Sequence, residues 1–232
     1  MTTVLIPGFM LDQDLWTDIH PYLQTRGPLV YADLSTANTI EDMAAHVLST
    51  VPDGVFDVIG FSMGGYVARE IARIAPDRVQ QLVLMATSSR GDTALQARRK
   101  ADAVLAAPQT FAGVSKRSIR QSLAPAREDD DALVNRIHAM SVRLGGDAFR
   151  RQAQLRRDGD TNRLGDIRCP TLVIAGQQDR LRSLDEAQEL HQGIPGSQLQ
   201  VLDAGHMIPM EVPAETQSVL AGFLRRRSAS PG

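Results

Sequence analysis

Six short aliphatic runs recur along the chain: Val4-Leu5-Ile6, Leu29-Val30-Tyr31-Ala32, Val55-Phe56-Asp57-Val58-Ile59, Leu82-Val83-Leu84-Met85, Leu172-Val173-Ile174-Ala175 and Leu199-Gln200-Val201-Leu202. Several are nearly continuous rather than alternating, as strands covered on both faces should be, and this predicts a parallel sheet. Helical spacing fills the gaps. Val67, Ile71, Ile74 and Ala75 fall at i, i+4, i+7 and i+8 on one helix face, and Pro76, which lacks an amide donor, ends it. Ile40, Ala44, Val47 and Leu48 repeat the pattern before the third run, and Ala187, Leu190 and Ile194 give a shorter version before the sixth. The expected fold class is α/β, built by βαβ repetition with right-handed crossovers.

Between Ser88 and Gly165 this rhythm stops. Helix-like pieces replace it, Ala94 to Ala107, Phe111 to Leu123, Asp130 to Leu144 and Ala148 to Arg156, separated by Pro108, Pro125 and Gly145-Gly146. A helical insertion in an α/β frame is the economical reading. It divides the chain into a core at 1–87 and 166–227, a helical lid at 88–165 and a flexible tail at 228–232. There is no internal repeat.

Composition narrows the function classes. The 232 residues are 43% hydrophobic, with 25 Lys plus Arg against 27 Asp plus Glu for a net charge of -2. That is an ordinary globular chain with no overall field for a phosphate backbone, so nucleic acid is not an expected partner. The single cysteine, Cys169, excludes an internal disulfide framework and a multi-cysteine metal site. Met1-Thr2-Thr3-Val4-Leu5-Ile6-Pro7-Gly8 has no basic region, and no stretch approaches the roughly 18 apolar residues of a membrane span. Neither signal peptide nor membrane anchor is expected, and the cytoplasm is the expected compartment; nothing in the pattern sets an oligomeric state. The near-neutrality is uneven, because residues 88–165 hold 15 of the basic and 9 of the acidic residues, a local excess of six positive charges. Arginines on solvated helix faces are the plainer reading of that excess, and attraction of anionic substrates is the alternative.

The chemistry is carried by Gly60-Phe61-Ser62-Met63-Gly64-Gly65, which follows a strand and opens a helix. In the G-x-S-x-G nucleophile elbow a tight strand-to-helix turn strains the serine backbone and exposes its oxygen, and the glycines remove side chains that would collide. A glycine-rich packing turn is the alternative while the motif stands alone. A serine hydroxyl is a weak nucleophile and needs a base with a pKa near the working pH, usually histidine. Of His20, His46, His138, His191 and His206, four lie in predicted helices. His206 lies in Asp203-Ala204-Gly205-His206-Met207, leaving the carboxyl end of the last strand, the edge where open parallel sheets gather their catalytic groups. An orienting acid completes the set. Asp179 follows the fifth strand at the same edge, and Asp92, farther from the fourth strand, is the runner-up. Oxyanion donors are expected from the amides of Met63, just after the serine, and Phe9, in the loop after the first strand. In a sheet ordered 2-1-3-4-5-6 those two loops meet at the topological switch point.

With these residues in hand the sequence resembles the α/β-hydrolase superfamily in its esterase-like branch, over Val4 to about Ser89 and Cys169 to Leu224. The order Ser62, Asp179, His206 is the family's order of nucleophile, acid and base. The segment between looks like the lid this family inserts. Relatives usually begin with two further strands, for which there is no room before Val4, so about six strands are expected. Many relatives carry His-Gly where this chain has Pro7-Gly8, but the donor is the following amide.

The resemblance also excludes reactions. Family dehalogenases and epoxide hydrolases use aspartate at the elbow, whereas Ser62 suits acyl transfer. In plant-type hydroxynitrile lyases a lysine follows the histidine, where this chain has Met207. The expected reaction is hydrolysis of a small carboxylic ester through an acyl-enzyme on Ser62, with Phe9, Met63 and Met207 facing the substrate. Lactone, thioester or carbon-carbon bond hydrolysis and perhydrolysis share the same machinery, and a non-hydrolytic small-ligand receptor belongs to a different class. Met140 and Phe149 are candidates for the acyl pocket, although helical spacing also suits them to the core. No metal or organic cofactor is implied: the remaining histidines are scattered and the elbow lacks a P-loop lysine.

Overall fold

The computed structural model describes residues 1–105 and 110–224. Among them are β1 (Thr2–Ile6), β2 (Leu29–Tyr31), β3 (Phe56–Phe61), β4 (Val79–Met85), β5 (Thr171–Gly176) and β6 (Gln198–Leu202), joined in one parallel sheet in the order β2-β1-β3-β4-β5-β6. Each aliphatic run forms a strand. The ends shift: β3 starts at Phe56 and leaves Val55 53% exposed, and β4 begins at Val79.

Helices α1 (His20–Gln24), α2 (Ile40–Thr50) and α3 (Met63–Ile74) connect the first four strands. The insertion between β4 and β5 carries α4 (Ala94–Leu105), α5 (Lys116–Ser122) and α6 (Asp131–Gln154). Helix α7 (Leu184–Gly193) links β5 to β6, and α8 (Ile208–Glu211) and α9 (Pro213–Phe223) follow. Alternate strand residues feed two cores. Val4, Ile6, Val58, Leu82 and Val173 pack with Met43, Val67, Ile71 and Leu190 on one face. Leu5, Ile59, Phe61, Val83 and Ile174 pack with Trp16, Ile19, Met210 and Leu220 on the other. That two-sided burial is why the four central strands read as continuous apolar runs, whereas the edge strands β2 and β6 are half-buried to exposed.

Helix α3 departs from its one-faced expectation. It is buried from Met63 through Ala72, while Ile74 is 50% exposed. The polar side is covered because Arg69, wholly buried, donates Nε and Nη2 to the Asp160 carboxylate at 2.8 Å each and Nη2 also to the Ser88 carbonyl at 2.8 Å. Arg73 adds a bond to Asp160 at 2.9 Å. Burial alone would push the Asp160 carboxyl up, but Arg69 and then Arg73 outweigh it and hold the group below the usual carboxylate range.

The insertion is helical, with different boundaries. Phe111 to Leu123 yields only α5, because Gly113 takes φ 94° and the Ser115 side chain caps the helix, accepting from the Ser118 amide. The two pieces expected on either side of Gly145 run on as α6, kinked where Gly145 adopts φ 77°, ψ 177°. Ala106, Ala107 and Pro108, residues 225–227 and the expected tail at 228–232 lie outside the described residues.

Candidate active site

Ser62 sits between β3 and α3 with φ 51° and ψ -113°. A non-glycine residue holds a conformation of this kind only under constraint, at about 1–3 kcal/mol. The constraint is visible: the Ser62 amide donates to the Met85 carbonyl at 2.9 Å, and the Thr87 hydroxyl donates to the Ser62 carbonyl at 2.7 Å. Glycine is required around it. A Cβ on Gly64 would lie 2.4 Å from the Ile6 carbonyl oxygen and 2.5 Å from that of Pro7, and one on Gly60 would lie 2.6 Å from the Gly64 oxygen. Bare backbone at 64 therefore lets the end of β1 press directly on the elbow, at the switch point where β1 and β3 lead away in opposite directions.

The loop after β6 brings His206 to this turn. Its Nε2 lies 3.0 Å from Ser62 Oγ and its Nδ1 lies 2.7 Å from Asp179 Oδ2. Asp179 is held by two amides, with Oδ1 accepting from Leu181 at 2.7 Å and from Arg182 at 3.0 Å. The Phe61 ring packs on the imidazole, centroids 5.2 Å apart. The geometry suits a neutral imidazole whose Nδ1–H donates to Asp179 and whose Nε2 accepts from the Ser62 hydroxyl. Asp92, the other candidate acid, is elsewhere: it receives Lys100 Nζ at 2.5 Å and Arg157 Nε at 3.0 Å.

The loop after β1 reaches the same point. Met10 takes φ 55°, its amide donates to Gln152 Oε1 at 2.8 Å, and the Leu11 amide donates to the Gly8 carbonyl at 3.3 Å. The amides of Phe9 and of Met63, first residue of α3, have no acceptor among the described residues. Two free donors beside a serine can hold an oxyanion, and the first amides of a helix lack intrahelical acceptors in any case.

Glu211 is a component that the sequence reading missed. This buried carboxylate accepts from Met207 N at 2.9 Å on Oε1, and from Ala124 N at 2.8 Å and Gly205 N at 3.2 Å on Oε2. It thus grips the backbone on both sides of His206, whose own amide donates to the Ser122 carbonyl at 2.8 Å. Both the carboxylate and the carbonyl tie the histidine loop to the inserted segment. The available signal was one acidic residue in the otherwise anion-free run Ala204 to Val212, which requires either exposure or amide partners.

A cavity of about 850 Å³ opens over these groups, within the range of small-molecule sites. Ser62, His206, Phe9, Met63 and Met207 line it. Phe149 does too, stacked on Phe111 with centroids 4.9 Å apart, whereas Met140 is fully buried in the core. Among the described residues no group of three or more His, Cys, Asp or Glu is placed to hold a metal ion, and no helix is long and apolar enough to cross a membrane.

Comparison with known proteins agrees with this architecture. The model of the alpha/beta hydrolase family matches residues 3–217. A poly(3-hydroxyalkanoate) depolymerase of Ectopseudomonas oleovorans is 30% identical over 192 residues, 79% of this chain but only 66% of the depolymerase. A pimeloyl-(acyl-carrier protein) methyl ester esterase of Photobacterium profundum is 25% identical over 254 residues, covering 96% of this chain and 94% of the relative. The solved structure of a thermophilic esterase from Thermogutta terrifontis superposes with a TM-score of 0.85 at 26% identity, covering 97% of this chain and 89% of that one. The matching family model, the parallel sheet and the strained serine between β3 and α3 lead to one assignment: the chain belongs to the alpha/beta hydrolase family, in its esterase-like branch.

Proposed function

We propose that the protein is a serine hydrolase that cleaves a carboxylic ester through an acyl-enzyme on Ser62. The observation that carries this reading is the relay in which His206 stands 3.0 Å from Ser62 and 2.7 Å from Asp179. His206 Nε2 takes the hydroxyl proton as Ser62 Oγ attacks the carbonyl carbon, and the imidazolium is stabilised by Asp179. The amides of Phe9 and Met63 hold the tetrahedral oxyanion, each donor worth about 3 kcal/mol of barrier. His206 returns the proton to the departing alcohol, then activates a water that releases the acid and restores Ser62. Met207, Phe9 and Met63 contact the substrate, and residues 88–165 serve as the lid over the cavity they help to line. The sequence reading points to the cytoplasm as the setting. The methyl ester esterase and the thermophilic esterase support ester chemistry by likeness.

Turnover of p-nitrophenyl acetate and butyrate tests the reading. Ser62→Ala and His206→Ala should each lower kcat at least about 1000-fold, and a fluorophosphonate should label Ser62. Undiminished turnover in either variant refutes the relay, and an unlabelled Ser62 in the folded protein points to a ligand receptor instead.

A further inference from the structure

The cavity wall carries positive charge and no negative charge. Lys100 on α4, Arg157 just after α6 and Arg182 just before α7 all line it, and no aspartate or glutamate does so among the described residues. Five other basic residues of the insertion are spent on solvated faces: Arg120 pairs with Asp131, Arg127 with Asp130, Arg136 with Asp18, Arg143 with Asp12 and Asp14, and Arg150 with Asp147. For those the plain reading of the basic excess holds.

Lys100, Arg157 and Arg182 differ because their carboxylate partners stand outside the lining. Asp92 serves both Lys100 and Arg157, and Glu186 receives Arg182 Nη1 at 3.2 Å. In these ion pairs three cations share two carboxylates, both of which stand outside the lining. Burial lowers the Lys100 pKa, and the charges of Arg157 and Arg182 push it the same way. A cluster that disfavours its own charge gains from an incoming anion. Arg182 is also fixed to the candidate active site, since its amide donates to Asp179 Oδ1 at 3.0 Å. Phe111, Phe149, Ile119 and Ile137 make much of the remaining wall apolar.

We infer that the site takes esters bearing a single carboxylate away from the scissile bond, as in half-esters of dicarboxylic acids, with that carboxylate held by Lys100, Arg157 and Arg182 and the carbon chain against the phenylalanines. The inference rests on the proposed hydrolase reading. A lining with three cationic side chains and, among the described residues, no carboxylate suits an anionic group, and guanidinium groups match a carboxylate in geometry. The reaction consumes one water and releases an alcohol and a dicarboxylate, so no further reactant is required.

The test compares p-nitrophenyl valerate with the p-nitrophenyl half-ester of glutaric acid, which replaces the terminal methyl by a carboxylate at equal chain length. The wild-type enzyme should favour the half-ester in kcat/KM about tenfold or more, mainly through KM, and the preference should narrow as salt is raised. Lys100→Gln and Arg182→Gln should each lower the ratio of the two kcat/KM values about tenfold. Because both esters are measured on one preparation, a smaller folded fraction cancels from that ratio. Equal or better turnover of valerate by the wild-type enzyme overturns the inference, as does a ratio that neither substitution moves. Valerate turnover and labelled Ser62 without half-ester preference defeat this inference alone; no turnover of either ester with Ser62 unlabelled defeats the hydrolase reading and this inference with it.

Discussion

Replacing Glu211 with glutamine changes one atom in the support of His206, and its consequences can be worked out from the contacts. The carboxylate accepts three amides, one on Oε1 from Met207 and two on Oε2 from Ala124 and Gly205. A glutamine must set its NH2 against at least one N–H, and the lesser conflict places it at the Oε1 position opposite Met207. One charge-assisted bond is then lost and a buried amide left without an acceptor, together about 3 kcal/mol. In a chain of this size that lowers Tm by about 6–12 °C. The second consequence concerns the reaction, because Met207 adjoins His206 and a displacement near 1 Å at a reacting group costs on the order of 100-fold. Glu211→Gln should therefore lower kcat for p-nitrophenyl butyrate about 10- to 100-fold with KM nearly constant. The assay is run well below the lowered Tm and normalised to the folded fraction by circular dichroism. Unchanged kcat with a reduced Tm would show that Glu211 only stabilises the fold; unchanged Tm as well would refute the account of its three bonds.

Two further effects follow from buried charges distant from the serine. Asp160→Ala removes the partner of wholly buried Arg69 and should destabilise the protein by about 3–5 kcal/mol, read as a shifted urea midpoint; a change under about 1 kcal/mol would mean that Arg69 finds water or another acceptor. Burial raises the Asp57 pKa from 3.8 to about 6 against the opposing hydrogen bond and charge of Arg26, so the stability linked to its protonated form is complete below pH 3.8 and lost as pH rises through about 6. Between those values the wild type should lose up to about 3 kcal/mol relative to Asp57→Asn in urea titrations, and a stability difference independent of pH would contradict this.

The parts of this molecule that were legible in the sequence are those governed by local period or by a rule of the fold. The runs of β1, β3, β4 and β5 became strands because parallel strands buried on both faces need no alternation, and those of β2 and β6 became the less buried edges of the same sheet. Ser62 and His206 are 144 residues apart, yet their meeting was readable because Ser62, Asp179 and His206 all leave carboxyl ends of strands, and an open parallel sheet gathers those ends along one edge. No comparable rule governs the inserted segment. Arg69 reads as the solvent side of a helix until the Asp160 loop, 91 residues away, closes over it. Glu211 meets Ala124 across 87 residues by a path set by the packing of the insertion rather than by strand order. The charge count across 88–165 likewise announced an excess without saying which cations turn inward. Sequence distance is therefore a poor guide to what can be read. What decides it is whether a constraint shared by the whole fold brings the two ends together, and in this chain Ser62, Asp179 and His206 are placed by such a constraint while the contacts of Glu211 and Arg69 are placed by side-chain packing particular to the insertion.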